Sequence, residues 1–330
     1  MRASLLIALL LLCNCGGNSS SSEAKWQLLG SSRPSALLSV WASSGTDVWV
    51  CGGREGAGLG PSVFHYDGSA WTKLDSGVTN VDLWWVFGTD DGTVFFGGSN
   101  GTILMYSGGT FTKLTTPTTD TVFGIWGASS SDVWAVGGQP SGSPFVWHYQ
   151  GSAFQTVTGL PADLTMGPVW KVTGRSASDV YMSAAQGYVL HWDGTQITPQ
   201  AVGMTDESLF SIGCSDNVCV TAGTDFANGV LYENDGNGWS SRVPTQDGPV
   251  WRGVTQTGDD MYVVGMFGAM LHLNGTSWVS EAQGQTTQSL HDVWANTDGT
   301  VFAVGGEFDQ TPTTQGVLIY QGTPPIPALP

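Results

Sequence analysis

Seven apolar strands of this sequence open on two adjacent residues whose types vary in a chemically suggestive way. The pairs read Leu38-Ser39, Trp84-Trp85, Phe123-Gly124, Trp170-Lys171, Phe210-Ser211, Trp251-Arg252 and His291-Asp292. Trp faces stack on flat apolar surfaces such as sugar rings, and Lys or Arg binds carboxylates. Trp84, Trp85, Lys171, Arg252, His291 and Asp292 are therefore the candidate ligand-binding residues. Two competing readings stay open. The first members of the pairs could simply pack between strands. Lys171 and Arg252 could simply offset a net charge of -17 or pair with Asp292.

The elements that must position these residues are written as a repeat. "SSGTDVWVCGG" (Ser43–Gly53), "SSSDVWAVGG" (Ser129–Gly138) and "SASDVYMSAA" (Ser176–Ala185) are one phrase in three versions. Each unit holds an apolar strand A, a small polar turn, strand B, a loop, strand C, a Gly turn and strand D. Strand B starts at Asp47, Thr93, Asp132, Asp179, Asn217, Asp260 and Thr300, a period of about 40 residues. Strand C ends recurrently, as in "HYDGSAW" (His65–Trp71), "HYQGSAF" (His148–Phe154) and "HLNGTSW" (His272–Trp278). The seventh copy stops at Gly322 without a strand D, while "KWQLL" (Lys25–Leu29) supplies one before the first strand A. These features predict an all-β, seven-bladed β-propeller with four antiparallel strands per blade. The N-terminal strand closes the last blade and leaves no open edge. The Ser-rich turn ending in Asp is expected to cap loop N–H groups. The Gly pairs that begin at Gly52, Gly97, Gly137 and Gly305 are expected where backbones approach closely or bulge.

From Trp26 to Gly322 this phrasing resembles secreted bacterial β-propeller repeats, including the tectonin-type lectins and, more loosely, the Asp-box and kelch families. The resemblance implies the fold and a lectin-like activity. Propellers host many functions, so the fold alone does not select one.

The turns from A to B and from C to D are nearly constant, whereas extra residues collect in the B–C loops of blades 1, 3, 5 and 7. B–C loops share one face with the D–A connections and the starts of strand A. Fixed turns read as scaffold and variable loops as function, so binding is expected on that face. Unconstrained drift of the loops is the competing explanation.

The sequence of 330 residues is 41% hydrophobic and 11% charged, enough for a large core of short strands and unsuited to disorder. Its 27 acidic against 10 basic residues argue against a nucleic-acid partner. Residues 1–15 read as a lipoprotein-type signal: Arg2, the apolar run Leu5–Leu12, and Cys15 as the lipidated residue, with Cys13 as a rival. A plain secretory signal is the other reading. Residues 16–25 read as a flexible linker, 26–322 as the propeller, and 323–330 as a loose Pro-rich tail. The expected location is outside the cytoplasm, lipid-anchored to a bacterial envelope or secreted, with membrane contact only through the anchor. Cys214 and Cys219 flank a shortened A–B turn and are expected to form a disulfide, while Cys51 is expected to be a buried thiol.

Familiar catalytic patterns are missing from the sequence. There is no nucleophile elbow, phosphate loop or sialidase-like Arg frame. His65, His148, His191 and His272 fall one per blade, too dispersed to share a metal, and are expected to bond neighbouring loops. "DGNG" (Asp235–Gly238) reads as a hairpin turn and not as a calcium loop. The sequence therefore points to a monomeric, non-catalytic binding module without a cofactor. Its expected ligand is a glycan, the alternative an envelope protein partner, and third a polysaccharide hydrolase or lyase with Asp292 as one acid.

Overall fold

A computed structural model describes residues 25–242, 248–258, 260–274 and 277–330. The signal segment with Cys13 and Cys15, and the linker up to residue 24, lie outside the described residues. Seven four-stranded antiparallel sheets form a ring of blades. In blade 3, for example, strands A to D are Thr121–Ser129, Asp132–Gly138, Phe145–Tyr149 and Phe154–Thr156. The N-terminal strand, Lys25–Arg33, pairs with Thr314–Gly322 and completes the seventh sheet. Apolar residues occupy both faces of strand B, as in Val133, Trp134, Ala135 and Val136, because each blade is covered by a neighbour on either side. Successive strands A pack side by side around the axis.

Each strand A carries one β-bulge near its start. The pairing runs Leu37–Gly52 then Ser39–Cys51, Leu83–Gly98 then Trp85–Gly97, and Val122–Gly137 then Gly124–Val136. The same skip occurs at Trp170, Phe210, Arg252 and His291. A bulge adds one residue to one strand and re-aims its side chain. It also presses the preceding backbone onto strand B. A methyl group on Gly52, Gly98, Gly137, Gly223, Gly265 or Gly305 would run into the carbonyl oxygen just before the bulge. In blade 2 this is Gly98, the second glycine of its pair; a methyl group on Gly97 would meet side chains of the next blade. Blade 4 has Ala184 at this place.

The Asp that opens strand B does not serve mainly as a turn cap. His65, His148 and His191 donate through Nε2 to Asp47, Asp132 and Asp179 at 2.7, 2.6 and 2.7 Å. His272 donates likewise to Asp260 at 3.0 Å. Each ring also stacks on the aromatic two residues after that Asp, with Trp134 and His148 centroids 4.0 Å apart. These histidines thus bind strand B of their own blade and not a neighbouring loop. A C-to-B bond is favoured because both residues face the same side of paired strands.

The tail is not loose. Leu329 is buried, its N–H donates to the Leu29 carbonyl at 2.8 Å, and Trp71 Nε1 donates to the Pro327 carbonyl at 3.0 Å. The apolar residues among the prolines give it a surface to bury against blades 1 and 7. Cys214 and Cys219 are disulfide-bonded across directly paired strand positions, and Cys51 is a buried free thiol.

Candidate functional site

The bulges build the candidate site. In chain order the bulged residues are Leu38, Trp84, Phe123, Trp170, Phe210, Arg252 and His291. All but the fully buried Leu38 line a cavity of about 200 Å³ at the axis, on the face of the B–C and D–A loops. Their rings form a chain: Trp84 to Phe123 at 5.4 Å, Phe123 to Trp170 at 5.1 Å, and Trp170 to Phe210 at 5.0 Å between centroids. Arg252 continues it with its guanidinium 4.7 Å from the Phe210 centroid and 5.5 Å from that of Phe308. His291 closes it, 4.9 Å from Phe308 and 5.7 Å from Trp84.

In blade 6 the sequence alignment is one residue out of register. Trp251, set at the first position of its pair, is paired with Gly265 and buried in the core between blades. Arg252 is the bulged residue and Gly253 follows it. The mismatch arises because a large aromatic precedes the bulge in this blade alone. Counting back from the glycine that ends strand B would have found the frame.

The residues after the bulges have a different task, and they are not rim groups. Lys171 and Asp292 are 5% and 3% exposed. Asp292 accepts from Ser39 Oγ at 2.8 Å and from the Val40 and Val293 N–H groups, tying blade 7 to blade 1. Ser39 accepts in turn from the Val86 N–H at 3.2 Å, and Ser211 from the Val254 N–H at 3.1 Å. Lys171 Nζ donates to the Phe123 carbonyl at 2.9 Å and lies 3.7 Å from the Trp85 ring centroid. Trp85 Nε1 donates to the Ile125 carbonyl at 2.8 Å. Together these side chains fasten strand A of blades 7 to 1, 1 to 2, 2 to 3, 3 to 4 and 5 to 6 around the axis. Trp85 and Asp292 face the lower part of the axial channel, while Lys171 also borders the upper cavity.

Of the sequence candidates, then, Trp84, Lys171, Arg252 and His291 meet at the cavity, and Trp85 and Asp292 lie beneath it. Burial depresses the Lys171 ammonium to about 7, opposed by the nearby Asp292 charge. Burial lifts the Asp292 carboxyl to about 6, opposed by Lys171 and by its hydrogen bonds. Burial, with Lys171 and Arg252 nearby, holds His291 well below its usual value and so neutral. Its Nδ1 donates to the Leu38 carbonyl, leaving Nε2 as an acceptor. Arg252 donates from Nη2 to Asp309 at 2.8 Å. Among the described residues, the polar side chains on the wall are Trp84, Trp170, Lys171, Arg252, His291 and Asp309, and the rest of it is apolar.

Two grooves open into the cavity. One shares Pro140, Trp170, Phe210 and Arg252 with it and runs out past Met166 and Phe226. The other shares Phe308 and Asp309 and runs past Met266 and Phe267. Phe226 and Phe267 are 77% and 74% exposed. Phe308 and Asp309, Phe226 and Phe267 all sit in B–C loops, where no repeat pattern marks them.

No protein-family model matches this chain, and no curated protein matches it. Solved structures do. Ycf48 bound to a D1 peptide superposes with a TM-score of 0.65 at 13% identity, over 92% of this chain and 98% of that one. Ycf48 from Cyanidioschyzon merolae gives 0.65 at 14% identity, over 90% and 98%. The WD40 β-propeller domain of Doa1 gives 0.63 at 13% identity, over 89% and 96%. At such identities the likeness establishes the propeller fold.

Proposed function

We propose that this chain is a non-catalytic interaction propeller that binds a polypeptide segment on the face of the B–C and D–A loops. One observation carries the reading: the apolar axial cavity continues into two grooves edged by exposed Met166, Phe226 and Phe267. Large exposed apolar side chains gathered on one face mark a partner surface. Leu59 and Met204 stand on the same face; Leu28 and Val279 are on outer strands. Methionines add an adaptable surface suited to side chains of varied shape.

This reverses the order expected from sequence. A sugar site wants an open aromatic platform ringed by hydrogen-bonding groups. Here Trp84 and Trp170 lean on their neighbours, Arg252 is tied to Asp309, and His291 to Leu38. Ycf48, of like fold, has been solved with a D1 peptide, which supports a peptide over a glycan as occupant. The disulfide supports an exported location.

The test is a displayed random-peptide selection beside a glycan array, both on the folded full chain. Peptides that compete with one another and are lost on Phe226→Asn would sustain the reading. Selective glycan binding with no peptide enrichment would overturn it.

A further inference from the structure

The described charges around the cavity and its grooves are unequal. Asp163, Asp206, Glu307 and Asp309 are exposed on this face, and Asp225 is half-buried. Glu207 lies buried in the wall of one groove, accepting from Tyr232 Oη. Against them stand two cations. Arg252 is held to Asp309 and laid over two Phe rings, and Lys171 is buried beneath with its ammonium on the Phe123 carbonyl. Farther out on the face, Arg54 is tied to Asp82, Arg242 to Glu233 and Lys73 to Glu55, while Arg33 lies over the Phe64 ring. The whole chain carries -17, so the field at this mouth reinforces the local imbalance.

We propose that the segment bound here is cationic as well as apolar: an apolar side chain seated in the axial cavity, with Lys or Arg side chains flanking it along the acidic grooves. This rests on the polypeptide reading and adds the partner's chemistry. The division of labour follows from the lining. The cavity interior offers aromatic faces and no free carboxylate, so it suits the apolar anchor. The grooves offer Asp206 and Glu307 in water, where they steer a basic chain and fix its register without desolvation of buried charge. Arg252 does not oppose this arrangement, because Asp309 neutralises it where it stands.

Fluorescence anisotropy with three labelled peptides of equal length tests this on the full chain. One has a Phe-Leu anchor flanked by Lys and Arg. The second has the same anchor flanked by Asp and Glu. The third keeps the basic flanks and replaces the anchor by Ser. The first should bind at least about tenfold more tightly than either other, and should weaken as salt rises. The double reversal Asp206→Lys with Glu307→Lys, both exposed, should weaken it about tenfold while the melting temperature holds. Equal or tighter binding of the acidic peptide overturns the charge inference and leaves the polypeptide reading standing. Equal binding of the Ser peptide overturns the anchor. Binding of none, by protein shown to be folded, overturns both.

Discussion

Lys171 Nζ lies 3.7 Å from the centre of the Trp85 ring and donates to the Phe123 carbonyl, so a buried cation from blade 4 is held by groups from blades 2 and 3. No carboxylate touches it. Asp292, which acts on it through space, is bonded to blade 1. The two charges thus fasten opposite parts of the ring while depending on each other for neutralisation, and removing either leaves the other buried alone.

That dependence has a sign that pH reveals. Lys171 is depressed to about 7, so in the folded protein it stays neutral above that value and takes up its proton only as pH falls through it. In Asp292→Asn the opposing charge is gone, and protonating Lys171 costs more. The variant should lose little stability at pH 9 and about 1 kcal/mol more at pH 6, one pH unit below the parent value. Asp292 is raised to about 6, so its contribution is greatest at low pH and is lost as pH rises through that value. Lys171→Met removes a buried cation whose cost is greatest once it is protonated below about 7, so the variant should compare less favourably with the parent at pH 8 than at pH 5. Urea unfolding of both variants across pH gives slopes of opposite sign; parallel slopes would refute the coupling.

The bulges make a second demand. Gly137 sits where a methyl group would meet the Thr121 carbonyl and the Phe145 ring. Gly137→Ala should cost about 1–3 kcal/mol through overpacking against backbone that cannot move freely. Ala184→Gly, at the matching place in blade 4, relieves nothing and should cost about 1 kcal/mol or less. Equal costs in denaturant unfolding would show that the bulge does not require the glycine.

The ring was legible in the sequence because a blade is written seven times and the missing strand D is found at the other end of the chain. The candidate site was legible in part. Its wall comes from the starts of strand A, which repeat, so Trp84, Lys171, Arg252 and His291 could be singled out. Their directions could not. A bulge changes which way a side chain points and is marked only indirectly, by the glycine that ends the paired strand B, so Trp85 and Asp292, adjacent to wall residues, turn out to face below the cavity. Phe308 and Asp309 come from a B–C loop whose length no other blade shares, and periodicity says nothing there.

The His–Asp pairs predict a small, repeated effect. Asp132→Ala removes the acceptor of His148 Nε2 and should cost about 1–2 kcal/mol, while Asp132→Asn, which keeps an acceptor oxygen, should cost less. The same change at Asp47 should add to it nearly in full, because the two pairs lie in different blades. Thermal unfolding of the single and double variants checks this. A double variant no worse than either single would show that the blades share the load.

Phe226 and Phe267 offer the most direct separation of stability from function. Both are exposed, both sit in B–C loops, and both hold φ values of 72° and 61°. That left-handed region is uncommon for bulky side chains, costs on the order of 1 kcal/mol, and is well tolerated by Asn. If these rings served the fold, removing them would weaken it. Nothing covers them, so Phe226→Asn with Phe267→Asn should leave the melting temperature unchanged or raise it. The rings edge the two grooves, so the same variant should lose most of its affinity for a bound peptide. Strain kept at an exposed tip is then explained by what the tip binds. A variant that melts lower and binds as well as the parent would assign these residues to the scaffold and leave the grooves without their edges.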